Sequence, residues 1–221
     1  MRKQLCAALL LLFCAIAPAY AEFVVFNLTG AISDVSPELA SAFAVGAPVS
    51  GVFSYDTSVA DVFPDPNGGE YPGGFNSSVL FGSYAVGGIG GSVFVGNDQS
   101  GRDFFTGFLT SAEVSGAALG AFVPVRLELS LEDFGATVFS SDLLPAASQL
   151  ANVSAFDSPF IVLFFQNPAG DLAIVDAAIT ALQPQQVHEP RALALVVLGC
   201  GMLALLRRRE RCSEAKRFSA G

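Results

Sequence analysis

The stretch Phe122–Phe134, which reads FVPVRLELSLEDF, alternates apolar and polar residues more regularly than any other part of the chain. Its apolar face consists of Val123, Val125, Leu127, Leu129 and Leu131. Its polar face includes Arg126, Glu128, Ser130 and Glu132. Side chains point alternately to opposite sides of a strand. The stretch is therefore predicted to be a strand of an antiparallel sheet that has one buried and one solvated face.

The surrounding segment is also β-rich, because short runs of Phe, Val, Thr and Ser are separated by Gly, Pro, Asn and Asp. Further strands are predicted at Phe23–Ile32, Val49–Asp56, Phe75–Val86, Ser92–Gly96, Asp103–Val114, Pro159–Gln166 and Leu172–Leu182. Thr57–Gly74 is predicted to be a long loop, and Gly87–Gly91 a turn between strands. About eight strands at this spacing predict an all-β ectodomain, an antiparallel β-sandwich or jelly-roll-like fold.

Charge is distributed unevenly along the chain. Residues 22–189 hold two of the eleven basic residues, Arg102 and Arg126, and eighteen of the twenty acids. A surface this acidic repels nucleic acid and anionic lipid. All four cysteines lie outside this segment, so it has no internal disulfide and depends on core burial for its stability.

The N-terminus has the pattern of a cleaved signal peptide. Met1-Arg2-Lys3 is basic, Leu5–Ala17 is apolar, and Ala19-Tyr20-Ala21 is a small-x-small cleavage site. Cleavage there would start the mature chain at Glu22. An uncleaved N-terminal anchor is the alternative, disfavoured by the short apolar region and the good cleavage site.

The C-terminus contains an uncharged apolar run followed by a basic cluster. Ala192–Leu206 would span roughly 22 Å as a helix, against about 30 Å of bilayer hydrocarbon. Arg207, Arg208 and Arg209 end the run, as basic residues do on the cytoplasmic side of a membrane. A transmembrane helix is therefore predicted, with a buried core helix as the alternative.

Val187-His188-Glu189-Pro190 precedes this run, and the whole arrangement resembles the PEP-CTERM sorting signal of Gram-negative bacteria in a His-Glu-Pro variant. The resemblance implies export through the Sec translocon, an inner-membrane-anchored precursor, and processing by an exosortase-like enzyme. It also implies delivery to the cell surface or the extracellular matrix. The expected organisation is a signal peptide (1–21), a β-sandwich ectodomain (22–182), a linker with the sorting motif (183–191), a transmembrane helix (192–206) and a basic cytoplasmic tail (207–221).

Catalytic residues are scarce. The chain has one histidine, His188 in the linker, and residues 22–189 contain neither cysteine nor lysine. This excludes Ser-His-Asp, Cys-His and Ser-Lys sites, as well as a zinc site with several histidines. A glycosidase could use two carboxylates from Glu70, Glu113, Glu128, Glu132 and Asp133. The chain lacks tryptophan for stacking on sugars, so a non-enzymatic protein is favoured.

The predicted loop carries oxygen ligands of the kind that Ca²⁺ prefers: Asp56, Asp61, Asp65, Asn67 and Glu70. Their spacing is not that of an EF-hand, and a solvated acidic turn is the favoured interpretation. No other cofactor is expected.

These observations favour an exported, non-enzymatic protein of the cell envelope or of an extracellular polysaccharide matrix such as a biofilm. The alternative is a surface module of similar fold that binds a glycan or a protein, with or without Ca²⁺. A secreted glycosidase is the least favoured hypothesis.

Overall fold

In the computed structural model, residues 23–63 and 65–185 are described. They form strands β1 (Phe23–Val35), β2 (Pro48–Asp56), β3 (Gly68–Phe81), β4 (Tyr84–Gly96), β5 (Asp103–Leu109), β6 (Val114–Gly116), β7 (Val123–Asp133), β8 (Ser158–Gln166) and β9 (Leu172–Pro184). One α-helix, α1 (Ala147–Ala151), and two 3₁₀ helices, Pro37–Leu39 and Val153–Ala155, lie between strands.

The strands form one closed antiparallel barrel. Each strand pairs with the next along the chain except at β6, which pairs with β4 while β5 pairs with β7, and β9 pairs with β1 to close the circle. Strands β5 and β6 pair in turn with β4, opposite Ser92–Gly96 and Val86–Gly88, so they are two halves of one interrupted strand. The circle therefore has eight positions, connected up and down in sequence order.

The prediction of a β-sandwich or jelly roll is wrong. A sandwich has two packed sheets with free edges, whereas here β3 pairs with both β2 and β4, and β1 with both β2 and β9. Both folds bury one face of every strand, so both have the same alternating sequence pattern. What separates them is the pairing of β1 with β9, strands from opposite ends of the domain, which leaves no local signal in the sequence.

The barrel interior is filled with large side chains. Phe26, Phe53, Tyr55 and Phe105 are fully buried there, and the rings of Phe26 and Phe53 stack with centroids 5.0 Å apart. Burial of each such side chain contributes about 1.5–3 kcal/mol. This packing provides the stability that the segment cannot draw from disulfides.

Connecting segments close both ends of the barrel. Residues 57–67, 97–102 and 134–157 connect strands at the end where the described chain also begins and stops, called here the terminal end. Residues 36–47, 82–83, 117–122 and 167–171 connect strands at the opposite end, called the far end, and residues 110–113 lie between β5 and β6. At the far end the ring of Phe43 packs 5.4 Å from Tyr84 and 6.0 Å from Phe165. At the terminal end Phe139, Leu150 and Phe156 are buried.

The glycine-rich stretch Gly87–Gly91, predicted to be a turn, lies inside β4. Glycine is required there because neighbouring backbone approaches closely. A Cβ at Gly88 would meet the carbonyl oxygen of Glu113, and one at Gly91 would meet that of Phe108. The turn itself lies earlier, between β3 and β4, where Gly82 has φ +61°.

Several predicted segments lie outside the described residues: the signal peptide 1–21, the sorting motif Val187–Pro190, the apolar run 192–206 and the basic tail 207–221. Among residues 23–63 and 65–185, no helix combines the length and the apolar character needed to cross a membrane. Strand β9 continues to Pro184, beyond residue 182 where the ectodomain was expected to end.

Candidate functional site

The residues predicted to bind Ca²⁺ lie at the terminal end, where the carboxylates of Asp56, Asp61 and Asp65 accept hydrogen bonds from backbone N–H groups. Asp61 Oδ1 accepts hydrogen bonds from the backbone of Phe63 (2.9 Å) and Glu70 (2.8 Å). Asp56 Oδ1 accepts from the backbone N–H and the hydroxyl of Ser58. The contacts with Phe63 and Ser58 are Asx-type turns, and the contact with Glu70 joins the loop to β3. Together they organise the loop without a ligand.

Asp65 forms a similar turn with the backbone N–H of Asn67, at 2.9 Å. Of the five predicted ligands, the structure joins Asp61 with the backbone of Glu70 and Asp65 with that of Asn67. Within residues 23–63 and 65–185, no three acidic, histidine or cysteine side chains are grouped as a metal would need. Calcium binding stays a prediction, to be tested by a Ca²⁺-dependent rise in melting temperature that Asp61→Asn removes.

Two buried carboxylates at the terminal end hold the connecting segments in place. Asp103 accepts hydrogen bonds from the backbone of Asp98 (2.9 Å), Val138 (2.8 Å) and Phe139 (2.7 Å). Asp133 accepts from the backbone of Thr137 and Gly135, which holds the pKa of its carboxyl below the usual value. Both side chains are occupied by structural contacts.

Two buried tyrosines fasten the same 134–157 segment. Tyr55 donates its hydroxyl to the carbonyl of Pro145 at 2.6 Å, and Tyr71 donates to that of Asp142 at 2.9 Å. Burial raises the pKa of both phenols, and for Tyr71 the nearby Asp61 and Asp142 carboxylates add to the rise, to about 12. These groups are neutral clamps at physiological pH.

The carboxylates considered for a glycosidase are dispersed. Glu113 accepts hydrogen bonds from the backbone and hydroxyl of Thr110, which lowers the pKa of its carboxyl. Glu128 and Glu132 lie on the outer wall of the barrel and pair with arginines. Glu70 lies in β3 and Asp133 is a buried clamp.

The most distinctive surface is on the outer wall formed by β4, β5, β7 and β8. Five phenylalanines point outward there and are partly buried. We call this surface the outer aromatic face: it comprises Phe94, Phe104, Phe108, Phe160, Phe164, Arg102, Arg126, Glu128, Glu132, Thr106 and Ser130. On most of these strands the residues alternate with the buried interior residues.

Aromatic and charged groups on this face are in direct contact. The rings of Phe94 and Phe108 stack at 5.5 Å. The Arg126 guanidinium lies 5.0 Å from the centroid of Phe108 and 5.9 Å from that of Phe164. Arg102 lies 5.5 Å from the Phe104 centroid. Such cation–π contacts contribute about 0.5–1 kcal/mol each at an exposed site.

Each arginine also has a carboxylate partner. Arg126 pairs with Glu128 at 2.6 Å and Arg102 with Glu132 at 3.3 Å. The side chains of both arginines remain close to half exposed, at 44% and 47%. The guanidinium groups are therefore held in position yet accessible from solvent.

Two features of the sequence are signals for this face. Phe104, Thr106 and Phe108 alternate with buried residues of β5, and Pro159–Gln166 was expected to be central because both its faces are apolar. In the structure only one face of β8 points into the barrel, and Phe160 and Phe164 lie outside. The second signal is that both arginines of residues 22–189 lie on this face.

A shallow groove of about 370 Å³ lies at the far end, between the 36–47 segment and the 117–122 turn. Glu38, Leu39, Ala42 and Phe122 are among its lining residues. It contains one ionisable side chain, which gives it little chemistry for recognition compared with the outer aromatic face.

Comparisons of this chain with protein-family models, with curated proteins and with solved structures found no match. The candidate function therefore depends on the residues of this chain alone.

Proposed function

We propose that this chain is an exported, non-enzymatic protein of the Gram-negative cell envelope or extracellular matrix, sorted by its C-terminal segment. Its leader supports Sec-dependent export, through basic Arg2 and Lys3, the apolar Leu5–Ala17 and the Ala19-Tyr20-Ala21 site. Its tail supports processing by an exosortase-like enzyme, through the resemblance of Val187–Pro190 and the following residues to PEP-CTERM signals.

The observation that carries the proposal is the position of the two ends of the described chain. Phe26 of β1 pairs with Pro184 of β9, and the Gln185 backbone N–H donates to the carbonyl of Val25 at 2.8 Å. Residues 23 and 185, where the described chain begins and stops, therefore lie at the same end of the barrel. The far end is free of both, which supports display at a surface.

Fractionation of the native host tests the proposal. An epitope tag belongs in the Asn167–Asp171 turn at the far end, because an insertion in Gly87–Gly91 would disrupt β4. We expect a shortened species at the surface or in the medium, and its appearance should depend on the host's exosortase gene. A full-length species in the inner membrane of both strains would contradict sorting.

Charge reversal of the basic cluster tests the tail separately. Changing Arg207, Arg208 and Arg209 to glutamate should block processing, because basic residues next to an apolar run orient it in the membrane. The matched control changes Arg211, Lys216 and Arg217 to glutamate, an equal change of charge further from the run. Equal processing of both variants on an immunoblot would count against a sorting role for the cluster.

A further inference from the structure

We propose that the outer aromatic face binds a neutral polysaccharide chain that lies across strands β4, β5, β7 and β8. The binding concerns the purified protein and does not depend on whether the tail is processed, so this proposal and the sorting proposal can fail independently.

A continuous row of planar groups crosses the face. Phe94, Phe108, Arg126 and Phe164 come from four adjacent strands, and each contacts the next at 5.5, 5.0 and 5.9 Å. Three spacings between strands make the row at least about 14 Å long. The C–H faces of sugar rings pack against aromatic and guanidinium planes. A row of this length suits several successive sugar units better than a single sugar.

Polar groups with both donor and acceptor character accompany the row. Arg126 with Glu128, and Arg102 with Glu132, present guanidinium donors next to carboxylate acceptors. Between them lies the hydroxyl of Thr106, which is held at 2.9 Å by the hydroxyl of the buried Ser130. Sugar hydroxyls both donate and accept hydrogen bonds, so they match such pairs. Because the partners on the strands hold these side chains in place, binding would cost little ordering entropy.

The distribution of charge selects a neutral ligand. The face holds both arginines and two of the sixteen acids of residues 23–185, and therefore has no net charge, while the remaining fourteen acids lie elsewhere. An anionic polymer, or a second copy of this chain, would be repelled by the rest of the domain. A cationic polymer would be attracted to the acidic terminal end instead. A neutral chain is the partner for which this face is the best site.

The opposite wall of the barrel shows that aromatic outer residues are not a requirement of the fold. The outward positions of β1 and β2 include Asn27, Thr29, Ser50 and Ser54, and Phe23 lies at the start of β1. These strands lie diametrically across the barrel from β5 and β7. The phenylalanines and arginines are therefore concentrated on one wall although the fold does not require them there, which supports a binding role for that wall.

A single tryptophan reports on the face, since the chain has none. In the full-length protein, Phe108→Trp should show a saturable fluorescence change with cellohexaose or with soluble neutral mannan. Polygalacturonate, the anionic probe, should give no such change. Failure of both neutral probes to bind the Phe108→Trp variant and the unchanged protein, measured by calorimetry, would overturn the proposal. Preference for polygalacturonate would also overturn it.

Further variants test whether the neutral probes bind at the outer aromatic face. Arg126→Gln and Phe164→Leu should each weaken binding of the neutral probes about five- to tenfold, the loss expected for one stacking contact. Phe23→Leu is the matched control, because Phe23 is an exposed phenylalanine of β1, on the opposite wall. Circular dichroism and the melting temperature check that the variants are folded. Equal weakening by Phe23→Leu, or none by the two face variants, would place binding elsewhere and refute the proposal.

Discussion

Asp103 and Asp133 are register partners on β5 and β7, so two carboxylates lie side by side in the wall at the terminal end. Both are buried, which would be unfavourable for charged groups without partners. Backbone N–H groups from the 97–102 and 134–157 segments supply these partners. The acids therefore determine how the chain folds over the barrel mouth.

Replacing Asp103 tests this role. Asp103→Asn keeps the size of the side chain, but it replaces one carboxylate oxygen by an NH₂ group. This NH₂ group would face a backbone N–H that now donates a hydrogen bond to Asp103. We expect a loss of about 3 kcal/mol in the free energy of unfolding, measured with urea. Asp98→Asn, a change at an exposed position in the adjoining turn, should alter it by less than about 0.5 kcal/mol. Equal effects of the two changes would refute a clamping role.

A second pair of acids works against stability. Asp34 and Asp176 are register partners on the outer wall, where Asp176 is otherwise flanked by Val162 of β8. Partial burial and the Asp34 charge raise the pKa of the Asp176 carboxyl above its usual value. The fold thus favours the protonated form. Protonation of Asp176 therefore stabilises the fold fully at a pH below the usual carboxyl pKa. This stabilisation is lost as the pH rises through the raised pKa of Asp176.

Asp176→Asn should therefore stabilise the protein at neutral pH. Like charges on opposing strands cost roughly 0.5 kcal/mol, which corresponds to a rise of about 1–2 °C in melting temperature. The difference from the unchanged protein should shrink as the pH falls through the raised pKa of Asp176, because the Asp176 carboxyl then becomes neutral. A difference that is independent of pH, in melting curves recorded across this range, would contradict the electrostatic explanation.

At the scale of single elements, β4 shows that a glycine-rich sequence can form either a turn or a strand. Four glycines in five residues predict a turn when read alone. In the barrel they lie in strand β4, and at Gly88 and Gly91 the neighbouring backbone approaches too closely for a Cβ. This requirement comes from residues around Phe108 and Glu113, which are distant in sequence, so local reasoning could not predict it.

Gly91→Ala tests the close approach. In most strands this change is neutral or slightly stabilising, because alanine restricts the unfolded chain. At Gly91 the new Cβ would meet the Phe108 carbonyl and lie 2.7 Å from a methyl group of Leu109. We expect a loss of more than about 2 kcal/mol in the free energy of unfolding. Ser92→Ala, at the next residue, is the control and should be nearly neutral.

Other elements can be predicted well from sequence. The alternation in Phe122–Phe134 predicts a strand, and the structure contains β7 at Val123–Asp133. Its buried side is the predicted apolar side at Leu127, Leu129 and Leu131, but Val123 of the same predicted side is exposed, before an irregularity between Pro124 and Arg126. Alternation alone also predicts that Arg126, Glu128 and Glu132 lie outside. It does not predict that the rings of β4, β5 and β8 will surround them, because this depends on which strands are neighbours.

At the scale of the whole molecule, the number of strands and their antiparallel arrangement follow from the sequence, but the closed barrel does not. A sandwich and a barrel share the same strand pattern and differ in long-range pairing. The outer aromatic face could not be predicted for the same reason, since it exists only when β4, β5, β7 and β8 are adjacent.

The pairing of β1 with β9 also has a consequence for the way the chain is made. The hydroxyl of Thr180 donates to the carbonyl of Thr29, which is 151 residues earlier in the chain. Strand β1 is synthesised first and cannot complete its pairing until β9 has been synthesised. Until β9 is available, β1 and β8 both have unpaired edges of the kind that promote aggregation. Contacts between such distant residues also make folding slow. A chain delivered from one end would therefore spend almost its entire passage as an incomplete sheet, and would need a partner or rapid delivery to protect it.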